Sequence, residues 1–256
     1  MFNIEEFDIK CNTEIIGRNF IYLDEIDSTN SFLLNKSEYN EHGTIVLTEY
    51  QSAGKGRLDR EWVSTKEENL LFSILINEDI DAENVNLIVL GSSLAVAQSI
   101  ENLFQLPVEI KWPNDILIAG KKVSGILLES SSKGNVIEKV VIGFGINVNQ
   151  TSFEGQYGIR PTSIRLEAGH PVSRERLLSE ILNNFEEVLT QIFSDSSKVL
   201  NDWKSRCKML GERIKISDGE NTKTGIFEDV DEMGFLLLRT QSGLEKILFG
   251  DVSLRT

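Results

Sequence analysis

The chain has 256 residues, 40% of them apolar and 26% charged, with a formal net charge of −14. That length supports one large domain, or one domain with a small appendage, around a substantial core. The composition excludes collagen-like and disordered classes, and the negative charge argues against general nucleic-acid binding.

The acidic N-terminus lacks the basic start of a signal peptide. No apolar run reaches the ~20 residues of a membrane span; the richest, 87–100, is interrupted by Gly91, Ser92, Ser93 and Gln98. A cytoplasmic location is the expectation. Residues 18–24 (RNFIYLD) read as a strand. Ser28, Thr29 and Asn30 then offer N-cap chemistry for a short helix through Leu34. Residues 44–48 (TIVLT) read as a strand, 51–62 as a charged glycine-containing loop, and 69–76 (NLLFSILI) as a buried strand. A helix follows over 84–104, with Leu87, Leu90, Leu94 and Ala97 on one face.

Residues 107–112 read as a strand ended by Pro113, and 116–118 with 123–129 as a hairpin around Ala119–Gly120–Lys121. A long strand covers 136–147. Ser173 caps a helix to about Phe193, with a stripe of Leu178, Ile181, Phe185, Val188 and Ile192, and 198–209 reads as a second helix. From Gly211 short β-like runs alternate with turns, which reads as a small all-β barrel or sheet. The architecture is therefore α+β with a β appendage. Cys11 and Cys207 match no metal spacing and read as two free thiols. Two histidines, His42 and His170, are too few for a His-rich metal site and give a Ser-His-Asp triad little support.

Four segments carry candidate chemistry. In Gln51–Trp62, Lys55, Arg57 and Arg60 supply charge suited to phosphate. Gly54 and Gly56 let the backbone approach a ligand, and Trp62 can stack on a ring. A solvated turn is the plain alternative, and the Walker A pattern is absent. In Glu109–Asp115, Pro113 ends a strand, so Lys111 projects from a fixed frame, as a stabiliser of phosphoryl transfer must. Asn114 and Asp115 can orient nucleotide or Mg²⁺, or simply make a turn. In Gly120–Glu129, Lys122 can point inward from a buried strand, Lys121 reads as a solvated turn residue, and Gly125 permits close approach. In Ile142–Asn149, Gly143 and Gly145 suggest a strand floor beneath a ligand; the third glycine of a dinucleotide fingerprint is missing.

Taken in order, GKGR, KWPND, KKVSGILLE and GFGINVN, with DSTN upstream, resemble the ordered signature of the biotin protein ligase family. The resemblance implies a class II synthetase-like biotin/lipoate ligase fold, with a mixed or antiparallel sheet and flanking helices over 1–208. A small SH3-like β-barrel would fill 209–256. It implies ATP-dependent formation of biotinyl-adenylate and transfer of biotin to a lysine of a biotin carboxyl carrier domain, such as that of acetyl-CoA carboxylase. ATP and biotin would be substrates. No side-chain cluster suggests a metal site, and Mg²⁺ would be held by the ATP phosphates.

By the same resemblance Ser28, Thr29, Asn30 and Gln51 sit at the ureido end of biotin. Gly54, Lys55, Gly56 and Arg57 close over biotin and adenylate, and Gly125 and Gly143 line the biotin pocket. Arg60, Trp62, Asn114 and Asn147 lie by the nucleotide. Lys111 is the main electrostatic catalyst, with Arg57 and with Lys122 on the biotin carboxylate. Asp115 holds the carrier lysine or orients Lys111.

The family's usual loop, G-R-G-R-x-G-R, reads G-K-G-R-L-D-R here. Lys55 keeps charge without bidentate geometry, and Asp59 replaces a glycine, which predicts altered loop stability and adenylate leakage. Only 27 residues precede Ser28, too few for the DNA-binding repressor domain of some members, so no DNA partner is expected. Homodimerisation through the sheet occurs in the family. A lipoate or octanoate ligase and a non-catalytic biotin-binding module are the competing readings. Neither a lipoate-type R-R-x-x-G-G-G stretch nor a reason for two phosphate-facing cations in a mere binder is found.

Overall fold

The computed structural model describes residues 1–58, 60–78, 80–134, 136–217, 221–248 and 250–254. A seven-stranded mixed sheet has the order β1-β2-β3-β7-β6-β5-β4. Its strands are β1 (Phe20–Ile26), β2 (Ile45–Gln51), β3 (Leu70–Ile76), β4 (Val108–Lys111), β5 (Asp115–Ile118), β6 (Lys121–Lys133) and β7 (Val136–Ile146). β1 and β2 are parallel and every other neighbouring pair is antiparallel.

Strand periodicity decides what each face carries. Leu70, Phe72, Ile74 and Ile76 of β3, with Val140, Ile142, Phe144 and Ile146 of β7, join the main apolar core. Helices α3 (Val85–Phe104) and α5 (Arg174–Arg206) contribute to that core and pack on each other. The alternate residues face the other way. Leu75 and Val141 form a small cluster with Leu33 of α2 (Thr29–Asn35). Beside them the same face carries Ser73, Gly143 and Gly145, and there the functional cleft lies.

The Ser28 hydroxyl accepts from the Ser31 amide, and the Ser173 hydroxyl from the Arg176 amide, as the capping pattern predicts. Two short helices escaped the sequence reading, α1 (Ile4–Lys10) and α4 (Ile164–Ala168). The two helices expected over 173–209 are both present within α5, separated by the non-helical Asp195, whose carboxylate caps the second by accepting from the Ser197 amide and hydroxyl. Lys121 is half-buried and ion-paired with Glu167, not solvated. α3 is long and apolar enough to cross a bilayer, which corrects the expectation that no such segment exists, but 67% of its apolar window is buried inside the protein.

A second, antiparallel sheet of SH3-like type has the order β11-β10-β9-β8-β12. It comprises β8 (Arg213–Ser217), β9 (Thr222–Val230), β10 (Leu236–Thr240), β11 (Gly243–Ile247) and β12 (Asp251–Leu254). The main core continues into it through Ile214, Phe227, Leu236 and Leu238. Buried Trp112 donates from Nε1 to the Gly234 carbonyl at 3.2 Å, and buried Trp203 to Ser93 Oγ at 3.1 Å. Cys11 and Cys207 are buried and unbridged, and burial pushes the Cys207 thiol up to about 11.

Candidate active site

The cleft has a volume of about 720 Å³, within the range of sites for small ligands and cofactors. One end is polar and tightly constrained. The Thr29 amide and hydroxyl donate to Gln51 Oε1 at 2.8 and 3.0 Å. Asn30 Nδ2 donates to the Leu127 carbonyl (3.1 Å) and to Glu129 Oε2 (2.8 Å), while Ser73 Oγ lies 2.6 Å from Asn30 Oδ1 and 2.7 Å from Thr29 Oγ1. Ser28, Thr29 and Asn30 are all buried. Such a network fixes side-chain orientation, as hydrogen-bonded recognition of a planar polar ligand requires.

The floor is glycine. Gly125 of β6 pairs with Gly145 of β7, and the Trp62 indole lies against both. A Cβ on Gly125 would stand 3.1 Å from Trp62 Cζ3, and one on Gly145 closer still. The Lys122 ammonium is 5.5 Å from the centroid of the indole.

Cations form the far wall. Lys111 and Asp115 face each other across the β4–β5 turn, whose Trp112–Pro113 peptide is cis. Asp115 Oδ1 is 2.6 Å from Lys122 Nζ, and Oδ2 is 3.6 Å from Lys111 Nζ. One carboxylate thus lets two like charges coexist. Burial pushes the Lys111 pKa below its ordinary value, against the pull of Asp115 and reinforced by Lys122. Burial also lowers the Arg57 pKa, with Asp115 opposing. Arg57 Nη1 donates to Asn114 Oδ1 at 3.3 Å, and Asn114 Nδ2 to the Ile126 carbonyl at 2.6 Å.

Asn147 donates from Nδ2 to the Thr162 carbonyl at 2.9 Å, but its Oδ1 is buried without a partner. A buried unpaired acceptor costs about 1–3 kcal/mol, and here it borders the cleft, ready for a donor on a ligand.

Residues 54–56 pair with residues 60–62. The Trp62 amide donates to the Gly54 carbonyl (2.9 Å), Lys55 bridges Glu61, and the Gly56 amide donates to the Arg60 carbonyl (2.7 Å). A Cβ on Gly54 would collide with the Trp62 carbonyl oxygen, so that glycine serves the loop's own closure. Lys55 Nζ lies 3.6 Å from Glu129 Oε1.

Three comparisons bear on this arrangement. The chain matches the Biotin/lipoate A/B protein ligase family over residues 22–147 and the Biotin protein ligase C terminal domain over 209–255. The bifunctional ligase/repressor BirA of Bacillus subtilis is 34% identical over 256 residues, covering 97% of this chain and 78% of that protein. The chain belongs to the biotin protein ligase family.

Other ligases of the family agree. The biotin--[acetyl-CoA-carboxylase] ligase of Paracoccus denitrificans is 32% identical over 88% of this chain and 96% of its own length. The biotin protein ligase of Aquifex aeolicus, solved in complex with biotin and ATP, superposes with a TM-score of 0.82 at 33% identity, covering 93% of this chain and 99% of that one.

Of the residues the ligase signature singles out, the cleft is lined by Ser28, Thr29, Asn30, Gln51, Lys55, Gly56, Arg57, Arg60, Trp62, Lys111, Asn114, Asp115, Lys122, Gly125, Gly143 and Asn147. Gly54 is not among the lining residues, though it packs against Trp62 and Gln51, which are. Gly143 acts as the seat of Asn30, whose Oδ1 occupies the space a Cβ would take. Asp59 lies outside the described residues.

The sequence reading missed two parts of the lining, the stretch from Phe153 to Pro161 and Asp251 with its neighbours on β12, and one buried support behind it, Ser73, which orients Thr29 and Asn30. Ser73 was findable as the one hydroxyl in an apolar strand. The stretch 153–161 carries Gly155 and Gly158 but no cation before Arg160, yet Pro161 bridges Lys122 and the Lys122 amide donates to the Arg160 carbonyl.

Proposed function

We propose that this protein activates biotin with ATP to biotinyl-5′-AMP and transfers the biotinyl group to a specific lysine of a biotin carboxyl carrier domain. The observation that carries this is the convergence of Lys111, Lys122 and Arg57 around Asp115, beside a glycine floor that leads to the Thr29–Asn30–Gln51 network. Holding a carboxylic acid alone does not need so many cations. Bringing a carboxylate and a polyphosphate together does, because their mutual repulsion must be offset.

In the first step a biotin carboxylate oxygen bonds to the α-phosphorus of ATP, and the bond to the bridging oxygen breaks, releasing pyrophosphate. Lys111 stabilises the charge on the α-phosphoryl oxygens, with Arg57 beside it. Lys122 holds the carboxylate. Asn147 Oδ1 accepts from the nucleotide, and Asn114 positions Arg57. In the second step the neutral amine of the carrier lysine attacks the acyl carbon, the amide forms, a proton is lost and AMP leaves. Asp115 holds the incoming lysine or keeps Lys111 in line. The 54–62 loop excludes water from the anhydride.

Magnesium accompanies ATP in this reading. The ion is assigned to the phosphates, where it would neutralise the leaving pyrophosphate. Residues 1–208 supply the adenylation chemistry and 209–256 the appendage. The carrier is a carboxylase subunit, and the reaction is cytoplasmic.

The test is the complete reaction. Purified protein, ATP–Mg²⁺, biotin and an isolated carrier domain should give one biotinyl amide on one lysine, with AMP and pyrophosphate as co-products. Product with lipoate in place of biotin, or no product from folded protein, would overturn the assignment.

A further inference from the structure

The two lysines that open β6 serve different partners. Lys122 lines the cleft, and Lys121 does not. Lys121 Nζ instead pairs with Glu167 Oε1, and the Thr162 hydroxyl donates to the same oxygen. Glu167 stands on α4, Thr162 in the segment that leads into it, and Lys121 at the start of β6. One carboxylate thus ties three separate stretches of chain together. The Glu167 side chain keeps 13% of its exposure and the Lys121 side chain 32%. Burial would raise the Glu167 pKa, but the bonds from Lys121 and Thr162 outweigh it and hold the group below 4.5.

That tie bears on two cleft residues. Residues 160–162 run beside Lys122 as a short parallel bridge. The Lys122 amide donates to the Arg160 carbonyl and the Thr162 amide to the Lys122 carbonyl, each at 2.8 Å. The Thr162 carbonyl takes Asn147 Nδ2 at 2.9 Å, which commits that side of the amide and leaves Oδ1 unpaired. The Ile164 amide then donates to the Asn147 carbonyl at 3.0 Å. Pro161 has no N–H to add, and so short a pairing is marginal by itself. The charge-assisted bonds of Glu167 supply the missing hold.

We propose that Glu167 is a positioning residue, which braces the 160–162 segment between α4 and β6 and so fixes the spacing of Lys122, at the biotin carboxylate, from Asn147, at the nucleotide. The proposal rests on the reading of the cleft as an adenylation site. Glu167 lies outside the lining and acts through Thr162. Adenylation needs the carboxylate oxygen and the α-phosphorus at near-attack distance, where a displacement of about 1 Å can cost about 100-fold in rate. The brace therefore bears on kcat and on the carboxylate end of biotin. The ureido end is held by the separate Thr29–Asn30–Gln51 network.

The experiment uses the full chain, biotin-dependent ATP–pyrophosphate exchange, and equilibrium binding of biotin and of biotinol, whose alcohol replaces the carboxylate. Glu167→Gln should lower kcat of exchange at least about tenfold. It should weaken biotin binding about three- to fivefold, the scale of a partly screened charge contact, and leave biotinol binding unchanged. A purely structural defect would weaken both ligands alike. Lys121→Met releases the brace from its other side and should act in the same direction. The double variant should be no slower than the slower single, since both remove one contact. An unchanged kcat in folded Glu167→Gln, equal losses of biotin and biotinol affinity, or effects that multiply in the double variant would overturn the proposal. Should Glu167→Gln misfold, Lys121→Met decides it by the same two readouts, since Lys121 also lies outside the lining. Wild-type protein without biotin-dependent exchange would refute the adenylation reading; wild-type exchange with an unaffected Glu167→Gln refutes only the brace.

Discussion

Gly143 and Asn30 are packed so closely that a single methyl group could not be placed between them, for a Cβ on Gly143 would fall inside 3.0 Å of Asn30 Oδ1. The pair joins the sheet floor to the polar end of the cleft. Gly143→Ala should therefore tilt Asn30 out of its bonds to Leu127 and Glu129. Overpacking of this kind costs about 1–3 kcal/mol, equivalent to roughly a five- to 150-fold rise in KM for biotin. KM for ATP should change little. Steady-state exchange at varied biotin and varied ATP checks it; equal effects on both substrates would contradict the placement.

Gly145→Ala should do the opposite. The added methyl group displaces the Trp62 indole, which borders the nucleotide in this account, so KM for ATP should rise more than KM for biotin. ATP should quench Trp62 fluorescence in the wild type and quench it less in the variant. Unaltered nucleotide quenching would remove Trp62 from the nucleotide side.

Much of this site was legible because its residues are contiguous. The Lys111–Asp115 turn, the Gly125 strand and the Gly143–Gly145 strand each sit in a short motif whose alternation dictates which side chains face the cleft. The contact of Gly54 with the Trp62 carbonyl was not legible, because a glycine needed for close backbone approach looks the same in sequence whether the approaching atom belongs to a ligand or to another residue. Asp251 was invisible because it is 194 residues from Arg57, and nothing in a lone acidic residue opening an edge strand marks its partner. Strand bounds shifted by a few residues for a similar reason: 20–26 and 45–51 extend to where β1 and β2 pair, which local propensity does not specify.

The buried Lys111 ammonium makes a pair of opposed pH predictions. Burial holds its pKa below the ordinary 10.5. The charged form meets the phosphate, so kcat should fall as pH rises through that lowered value, where an exposed lysine would remain charged. Stability has the other sign. Between the lowered value and 10.5 the unfolded chain binds more protons, so stability rises with pH. Lys111→Met leaves Asp115 paired with Lys122, and it should abolish exchange while stabilising the fold by about 1 kcal/mol. Denaturant unfolding and the kcat–pH profile check both; an active or a destabilised Met variant would count against this role.

Away from the cleft, Arg174 and Glu49 form a buried pair that also gathers Tyr22 and the Phe2 amide. Burial alone would raise the Glu49 pKa, but the bonds from Arg174, Tyr22 and Phe2 outweigh it and hold the group below 4.5. Burial, with the bond to Glu49, pushes Tyr22 up to about 12. Glu49 thus contributes stability that is present above pH 4.5 and lost as pH falls through the lower folded value. Arg174→Met strands the carboxylate and should cost about 3–5 kcal/mol. Urea unfolding between acid and neutral pH should show the loss at neutral pH and little difference in acid. A loss independent of pH would point to packing instead.

The central claim is that this cleft joins a biotin carboxylate to the α-phosphate of ATP, with Lys111 at the reacting phosphate. ATP–pyrophosphate exchange in Mg²⁺, run with biotin, with lipoate and with neither acid, tests it most directly. The account predicts exchange with biotin alone, abolished by Lys111→Ala in a protein that still folds. Exchange that is independent of biotin, or that survives the loss of Lys111, would contradict it.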